Sequence, residues 1–478
     1  MSQIRLRFAP SPTGYLHVGG LRTALFNYLY VKNQGGKLLL RFEDTDQTRK
    51  VEGAEENLLQ SLAWAGVTFD EGPVQGGDVG PYVQSQRLEI YKQHVDQLVA
   101  QGDAYPCFCT SAELDQMREE QIKKKQAPRY DGRCRRLSSE ERQQRLDQGM
   151  SHVVRMKIIH SQGDYQIKDE IRGMVSFKPT QIDDQVILKT DGFPTYHLAS
   201  VVDDHLMGIT HVIRGEEWLP STPKHLQLYE YFGWTPPLWM HLPLLLNTDR
   251  SKLSKRQGDV SCKEYQDKGY LPEALVNFVA LLGWNPGDER EIFTLEELIK
   301  EFSLERIGKA GAVFDLDKLL WMNQKYISTL PLAELMKRLQ PFLPAAAFAL
   351  EPALLEKMVS LIRESLKRLD GVGEALDLFL NHNPQLQDEA LQALAKSTEA
   401  QQVYQCFLAK GQGLPSLNGE TFGKLVKEVQ AETGVKGKAL YAPLRVAITL
   451  KEHGPDLAGV VEIFGKEKTL TMIKNQVG

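Results

Sequence analysis

The sequence predicts an α/β domain, interrupted by a segment of different texture and followed by an all-helical C-terminal third. Three observations predict it. A short apolar strand near the N-terminus runs through a Pro/Gly loop into an amphipathic helix and a second strand. Residues 91–195 then switch to polar helices and short strands. Beyond about residue 330 the apolar residues keep to helical spacing.

Residues 4–8 read as the first strand, and Ala9-Pro10-Ser11-Pro12-Thr13-Gly14 as the loop that ends it. Leu21, Ala24, Leu25, Tyr28 and Leu29 recur every three or four residues, which predicts a helix over about 19–34. Residues 37–42 read as a second strand and 52–65 as a second amphipathic helix. A helix over 88–100 leads to Cys107-Phe108-Cys109, then to a polar helix and a basic stretch. Between Lys123 and Arg136 seven Lys/Arg stand against one Asp. Short strands are expected at 153–159, 174–177 and 185–189. The α/β pattern resumes near Tyr196, with strands expected at 198–202 and 212–213 and a helix at 222–232. Residues 241–330 read as mixed, mostly helical after Glu264. In the last third Leu332, Leu335, Leu339 and Phe342 share one face, as do Leu355, Met358, Ile362, Leu366 and Leu369. Asn383-Pro384 and residues 411–415 punctuate these helices.

Composition narrows the class. The chain has 478 residues, about three domains' worth, of which 42% are hydrophobic and 25% charged. That excludes a disordered or collagen-like chain. A membrane-spanning helix and a secretory leader are not expected, because neither an apolar run of about 18 residues nor an N-terminal apolar stretch is found. Five cysteines do not make a disulfide framework and fit a reducing cytoplasm. A net charge of −5 excludes a globally basic nucleic-acid binder, though not a local basic face.

Two motifs carry chemistry. In the first, a strand runs through residues 9–20 into a helix, so backbone N–H groups and the helix dipole face the loop and favour a phosphate. Gly19 and Gly20 let a flat base or phosphate approach the backbone, and His17 can donate to developing negative charge. The alternative is a plain turn with a surface His. The second motif is Lys252-Leu-Ser-Lys255-Arg256, followed by Gln257-Gly258. Such a cationic loop suits the charge spread over a pentavalent phosphate; the alternative is a solvated charge run.

In this order and spacing the two motifs resemble the signatures of class I aminoacyl-tRNA synthetases, written HIGH and KMSKS. The flanks, Arg7-Phe-Ala-Pro-Ser-Pro-Thr-Gly and Arg41-Phe-Glu-Asp-Thr-Asp46, are similar to those of bacterial-type glutamyl-tRNA synthetases. So are Phe193-Pro-Thr-Tyr-His-Leu198, Val201-Val-Asp-Asp-His205 and Val212-Ile-Arg-Gly-Glu-Glu-Trp218. The resemblance runs to Pro443-Leu-Arg-Val-Ala447. Two positions depart from the generic signatures, Gly20 for the second His and Arg256 for the final Ser; both forms occur in the family.

The resemblance implies a Rossmann-type catalytic domain in two parts, 1–90 and 196–241. It further implies an acceptor-stem insertion at 91–195, a connecting region at 242–330 and a helical anticodon-binding region at 331–478. It implies ATP-dependent activation of L-glutamate to glutamyl-adenylate, with Mg²⁺, and transfer to the terminal ribose of glutamate tRNA by a monomer. By matching motif, His17, Lys252 and Lys255 would act on the ATP phosphates. Gly19, Gly20, Glu217, Trp218, Leu245 and Leu253 would line the nucleotide pocket. Arg7, with Tyr196, would hold the glutamate side chain, Arg214 the α-carboxylate, and Ser11 and Glu43 the ammonium. Ala9 and Ser200 complete that set, Ser200 standing where some relatives have Asn. A guanidinium matches a carboxylate bidentately, and glutamine would leave it unpaired.

Cys107-x-Cys109 and Tyr130-x₃-Cys134 suit a structural zinc site. Several relatives end the pattern in Cys-x-His, where this chain has Arg136. Tyr130 is then one candidate fourth ligand, with His94, His152 or water as others, and three metal-free thiols remain the alternative. The stretch 123–136 falls in the insertion that embraces the acceptor stem in the family. Arg363, Arg368 and Arg445 are candidate anticodon readers. Ser365 aligns with the Arg that rejects glutamine tRNA in some relatives, so glutamine tRNA is an expected second substrate. A glutaminyl-tRNA synthetase is the nearest rival, but it reads the anticodon with β-barrels. A non-catalytic tRNA-binding protein would not need His17, Lys252 and Lys255 together.

Overall fold

The computed structural model describes residues 3–159, 163–253, 261–381 and 386–477. They divide into two units, 1–265 with 275–315, and 266–274 with 316–478.

In the first unit, β1 (Arg5–Phe8) pairs in parallel with β2 (Lys37–Leu40), joined by α1 (Val18–Gln34). His17 caps α1, and Gly35 ends it in the left-handed region at φ 66°, its N–H returning to the Val31 carbonyl. That conformation is the one glycine adopts without strain. α2 (Ala54–Trp64) and α3 (Leu88–Gln101) follow. Next come β3 (Ala104–Cys107), α4 (Ser111–Lys123) and α5 (Ser139–Asp147). Both polar helices open with a capping box, Thr110 with Glu113 and Ser138 with Glu141. These caps hold helices that bury almost no apolar face.

The strands β4 (Val153–Met156), β5 (Tyr165–Asp169), β6 (Gly173–Phe177) and β7 (Val186–Leu188) belong to two sheets. One has the order β3-β4-β7. The hairpin β5–β6 instead extends the sheet of β8 (His211–Gly215) and β9 (Leu238–Leu242), in the order β6-β5-β9-β8. β8 and β9 are parallel, with Arg214 beside His241, and β5 joins β9 at Asp169↔Trp239. The segment 91–195 therefore contributes strands directly to the sheet that carries Arg214.

Between β7 and β8 the chain forms α6 (Tyr196–Leu206), and α7 (Thr222–Phe232) separates β8 from β9. The strand expected at 198–202 is thus helix. Leu198 through Asp204 are all buried, and a continuously buried run has no periodicity to separate strand from helix. β5 and β9 were not expected either. The remaining elements of this unit are β10 (Leu245–Leu246), α8 (Cys262–Asp267), α9 (Pro272–Ala280), α10 (Leu295–Glu301) and β11 (Ala312–Val313).

The second unit is helical throughout its described residues: α11 (Leu316–Thr329), α12 (Leu332–Leu339), α13 (Pro352–Ile362) and α14 (Val372–Leu380). Then follow α15 (Glu389–Ala395), α16 (Thr398–Gln412), α17 (Gly419–Thr433), α18 (Lys438–Thr449) and α19 (Leu457–Lys474), the last kinked at Gly465. Leu335, Leu339, Leu355, Met358, Ile362, Leu366 and Leu369 meet in one core, with Leu332 and Phe342 packed against it. Among the described residues no helix is long and apolar enough to cross a membrane.

Candidate active site

A cleft of about 880 Å³ opens over the loop after β1. Its walls carry seven Lys/Arg against four Asp/Glu, in a chain whose net charge is −5. The local excess of cations is what anionic substrates require.

His17 stands at one side of the cleft. Its Nδ1 accepts from the Gly20 N–H at 3.1 Å, so the ring proton sits on Nε2, the donor a phosphate needs. A Cβ at Gly19 would come within 3.1 Å of that ring. A side chain at Gly19 would therefore press on the imidazole where it folds over the start of α1. The chain that bears the second motif returns to the same place. Leu253 N–H bonds the Leu245 carbonyl at 2.9 Å, and Lys252 bridges Leu246. On the far side Ser261 bridges His17, and Cys262 N–H bonds the Leu16 carbonyl at 2.8 Å. Lys252 and Leu253 line the cleft; Lys255, Arg256, Gln257 and Gly258 lie outside the described residues. Glu217 and Trp218 come from the turn after β8. The Glu217 carboxylate lies over Gly215, where a Cβ would collide with it. The Trp218 ring lies 4.2 Å from that of Tyr196, tilted by 39°.

At the other side an ionic network replaces an apolar core. Arg41 is fully buried and donates to Asp204 at 2.9 Å and Glu43 at 2.8 Å, with Asp203 at 3.7 Å. Arg7 donates from Nε to Asp204 at 3.0 Å. Asp203 is held by Arg87 at 2.7 Å, Gln84 at 2.9 Å and Tyr91 at 2.8 Å. Burial would raise the Asp204 carboxyl, but Arg7 and Arg41 outweigh it and hold it below the usual range. For Glu43 burial wins over Arg41 and Arg7, and its carboxyl is raised. Glu43 thus faces the cleft as a poorly solvated anion beside Arg7, suited to an ammonium partner.

Arg214 is tied on every side. It donates to the Tyr196 hydroxyl at 2.9 Å, His241 Nε2 at 2.9 Å and Thr222 at 3.1 Å, and its guanidinium lies 4.7 Å over Trp239. Because Tyr196 accepts from Arg214, its own proton is available to a ligand. Burial first, then Arg214, pushes His225 well below the ordinary range, so the imidazoles around Arg214 stay neutral.

Arg7, Ala9, Ser11, Glu43, Tyr196, Arg214, His17, Gly19, Gly20, Glu217, Trp218, Leu245, Lys252 and Leu253 all line this one cleft. Ser200 does not. It is buried within α6, which packs on α3, α7 and β7, and is not among the residues that line the cavity. Sequence reading assigned no role to Arg41, Asp203 or Asp204, although each lies in a quoted motif. Three charges inside apolar runs were the available signal, since charges are buried only when paired.

The three thiols of Cys107, Cys109 and Cys134 lie within 4.8 Å of one another. Cys109 and Cys134 are 3.5 Å apart, and the Tyr130 hydroxyl is 3.4 Å from Cys107. Tetrahedral zinc with bonds of about 2.3 Å separates its sulfurs by roughly 3.8 Å, so the cluster fits the ion. His94 and His152 are elsewhere engaged. His94 bonds the Ile90 carbonyl at 2.7 Å, and His152 that of Met150 at 3.1 Å.

The candidate anticodon readers are partly occupied within the second unit. Arg363 donates to the Ser328 carbonyl, Arg445 to that of Pro455 at 2.8 Å, and Arg368 to Asp370 at 3.0 Å. In the basic stretch Lys123, Lys124, Lys125 and Arg129 are exposed, whereas Arg135 pairs with Asp184 at 3.1 Å.

A signature strand–loop–helix, with Lys252 and Leu253 in the same cleft, and a helical C-terminal unit define a tRNA-charging enzyme. Residues 3–321 match the family described as tRNA synthetases class I (E and Q), catalytic domain, and residues 334–477 match an anticodon binding domain. The chain belongs to the class I tRNA synthetases. It is 45% identical to the glutamate–tRNA ligase of Alkaliphilus metalliredigens (strain QYMF), covering 99% of each chain. It is 46% identical to that of Clostridioides difficile (strain 630), covering 98% of each. The crystal structure of a glutamate tRNA ligase from Elizabethkingia meningosepticum in complex with its amino acid superposes with a TM-score of 0.88 at 35% identity, covering 100% of this chain and 99% of that one. The activity of the chain is glutamate–tRNA ligation.

Proposed function

We propose that the cleft binds L-glutamate between Arg7, Glu43 and Arg214 and ATP between His17, Gly19, Glu217 and Lys252. The observation that carries this reading is that one cavity holds all of these side chains. Arg7 and the Tyr196 hydroxyl take the side-chain carboxylate, Arg214 the α-carboxylate, and Glu43 with Ser11 the ammonium. An α-carboxylate oxygen then attacks the α-phosphorus of ATP, and pyrophosphate leaves. His17, donating from Nε2, and Lys252 stabilise the phosphate charge, joined by Lys255 on the strength of its motif. Mg²⁺ accompanies the nucleotide. In the second step a terminal ribose hydroxyl of tRNA attacks the acyl carbon and AMP leaves.

The same reading makes residues 91–195 the acceptor-stem domain, with Lys123–Lys125 and Arg129 as its exposed cations, and residues 331–478 the anticodon-binding region of a cytoplasmic monomer. Ser365, exposed after α13, offers no guanidinium to reject a base, so both glutamate tRNA and glutamine tRNA are substrates. Aminoacylation with each purified tRNA is expected to charge both; charging of glutamate tRNA alone rejects the wider specificity. Absence of glutamate-dependent pyrophosphate exchange, with and without tRNA, would overturn the assigned roles in the cleft.

Cys107, Cys109, Cys134 and Tyr130 would hold a structural zinc ion, which would crosslink the end of β3 to the basic stretch. Metal analysis of the purified protein should find one zinc per chain, lost in Cys134→Ser. A zinc-free parent protein removes the ion from the description.

A further inference from the structure

The Arg214 guanidinium is oriented by a pair of groups outside the cleft. His241 lies on β9 directly beside Arg214 on β8, and it is fully buried. Its Nε2 accepts from Arg214 Nε at 2.9 Å, and its Nδ1 stands 2.7 Å from Asp169 Oδ2. An arginine Nε can only donate, so Nε2 carries a lone pair and the ring proton is on Nδ1, directed at Asp169. The Asp169 carboxylate is saturated with donors: the backbone N–H of His241 at 3.1 Å, Ile171 at 3.0 Å and Arg172 at 2.8 Å. With these donors around it, the Asp169 carboxylate accepts from the ring N–H and fixes the tautomer of the ring. Burial pushes the His241 imidazole down to about 4, against the pull of Asp169 and with Arg214 adding to the lowering. A second tie from the same turn joins Arg172 to Glu216, next to Glu217.

We propose that His241, locked by Asp169 from the β5–β6 hairpin, is a positioning residue for amino-acid recognition, directing the terminal amino groups of Arg214 toward the cleft. A guanidinium rotated off this axis keeps its charge but loses its match to a planar carboxylate. His241 touches neither substrate and is not among the residues lining the cleft. The inference rests on Arg214 as the holder of the α-carboxylate.

Two half-replacements separate orientation from packing. His241→Asn keeps a donor where Nδ1 was and loses the acceptor for Arg214; His241→Gln keeps an acceptor where Nε2 was and loses the donor to Asp169. In aminoacylation, His241→Asn should raise the glutamate KM ten-fold or more and leave the ATP KM within about two-fold. His241→Gln should keep the glutamate KM within about three-fold. An unchanged glutamate KM in His241→Asn, or equal rises in both variants, overturns the proposal. Arg214→Gln is the control for the underlying reading. If it raises the glutamate KM while His241→Asn does not, only the relay fails; if it does not, the α-carboxylate assignment fails. Should His241→Asn not fold, nitrogen NMR of the parent protein at pH 7 decides. Protonated Nδ1 and bare Nε2 are expected, and the opposite tautomer or a doubly protonated ring rejects the relay.

Discussion

Arg7→Gln is expected to lower kcat/KM for glutamate roughly 10²- to 10³-fold while leaving the ATP KM close to that of the parent. The reason is the poor solvation of this corner. Arg7 and Glu43 are nearly fully buried, so a substrate carboxylate placed there without its guanidinium is a desolvated, unpaired charge. Breaking such a pair costs about 3–5 kcal/mol, and each 1.4 kcal/mol is a factor of ten. The fold should survive, because Asp204 keeps its 2.9 Å bond from Arg41. Discrimination against glutamine should fall at the same time, since the charge that glutamine leaves unpaired is gone. Steady-state aminoacylation with both amino acids checks this; an unchanged glutamate KM would remove Arg7 from substrate recognition.

Arg41→Met should act on stability instead. Arg41 bonds Asp204 and Glu43 and lies 3.7 Å from Asp203, with no exposure to solvent. Arg7 and Arg87 still neutralise Asp204 and Asp203 in the variant. Glu43 loses its bonded partner and stays buried, so its carboxyl, already raised by burial, takes up a proton more readily. The expected loss is about 3–5 kcal/mol of unfolding free energy, read as a lower urea midpoint for the first unit. Glutamate binding should weaken with it, because a neutral Glu43 no longer attracts an ammonium. A parent-like midpoint would show that the network is spare.

The N-terminal signature was legible because its chemistry is local. His17 caps the helix it precedes, and Gly19 and Gly20 follow within three residues, so a strand–loop–helix reading suffices. The helical third was legible for a similar reason, since Leu335, Leu339, Met358 and Ile362 repeat at the period of the structure they form. The run from Leu198 to Val202 was misread because burial on all sides erases periodicity. The pairing of β5 with β9 left no trace either, because a bridge at Asp169↔Trp239 depends on residues 70 positions apart.

Charge shows the same division. Arg7 and Arg214 were singled out by motifs that resemble those of the synthetase family, and a guanidinium suits a carboxylate. Their orientation does not follow from type. Asp204 reaches Arg7 from a helix almost 200 residues downstream, and His241 reaches Arg214 only because β8 and β9 run in parallel register. By itself the order of residues determined the reaction class, the charge of the substrate and the helical character of the last third. The last rests on short-range spacing, the first two on motifs that resemble those of the synthetase family. Tertiary structure alone decided which buried acids balance the arginines, which way each guanidinium points, and that Ser200 is kept from the cleft. These depend on distances between segments far apart along the chain, set by packing of the whole unit.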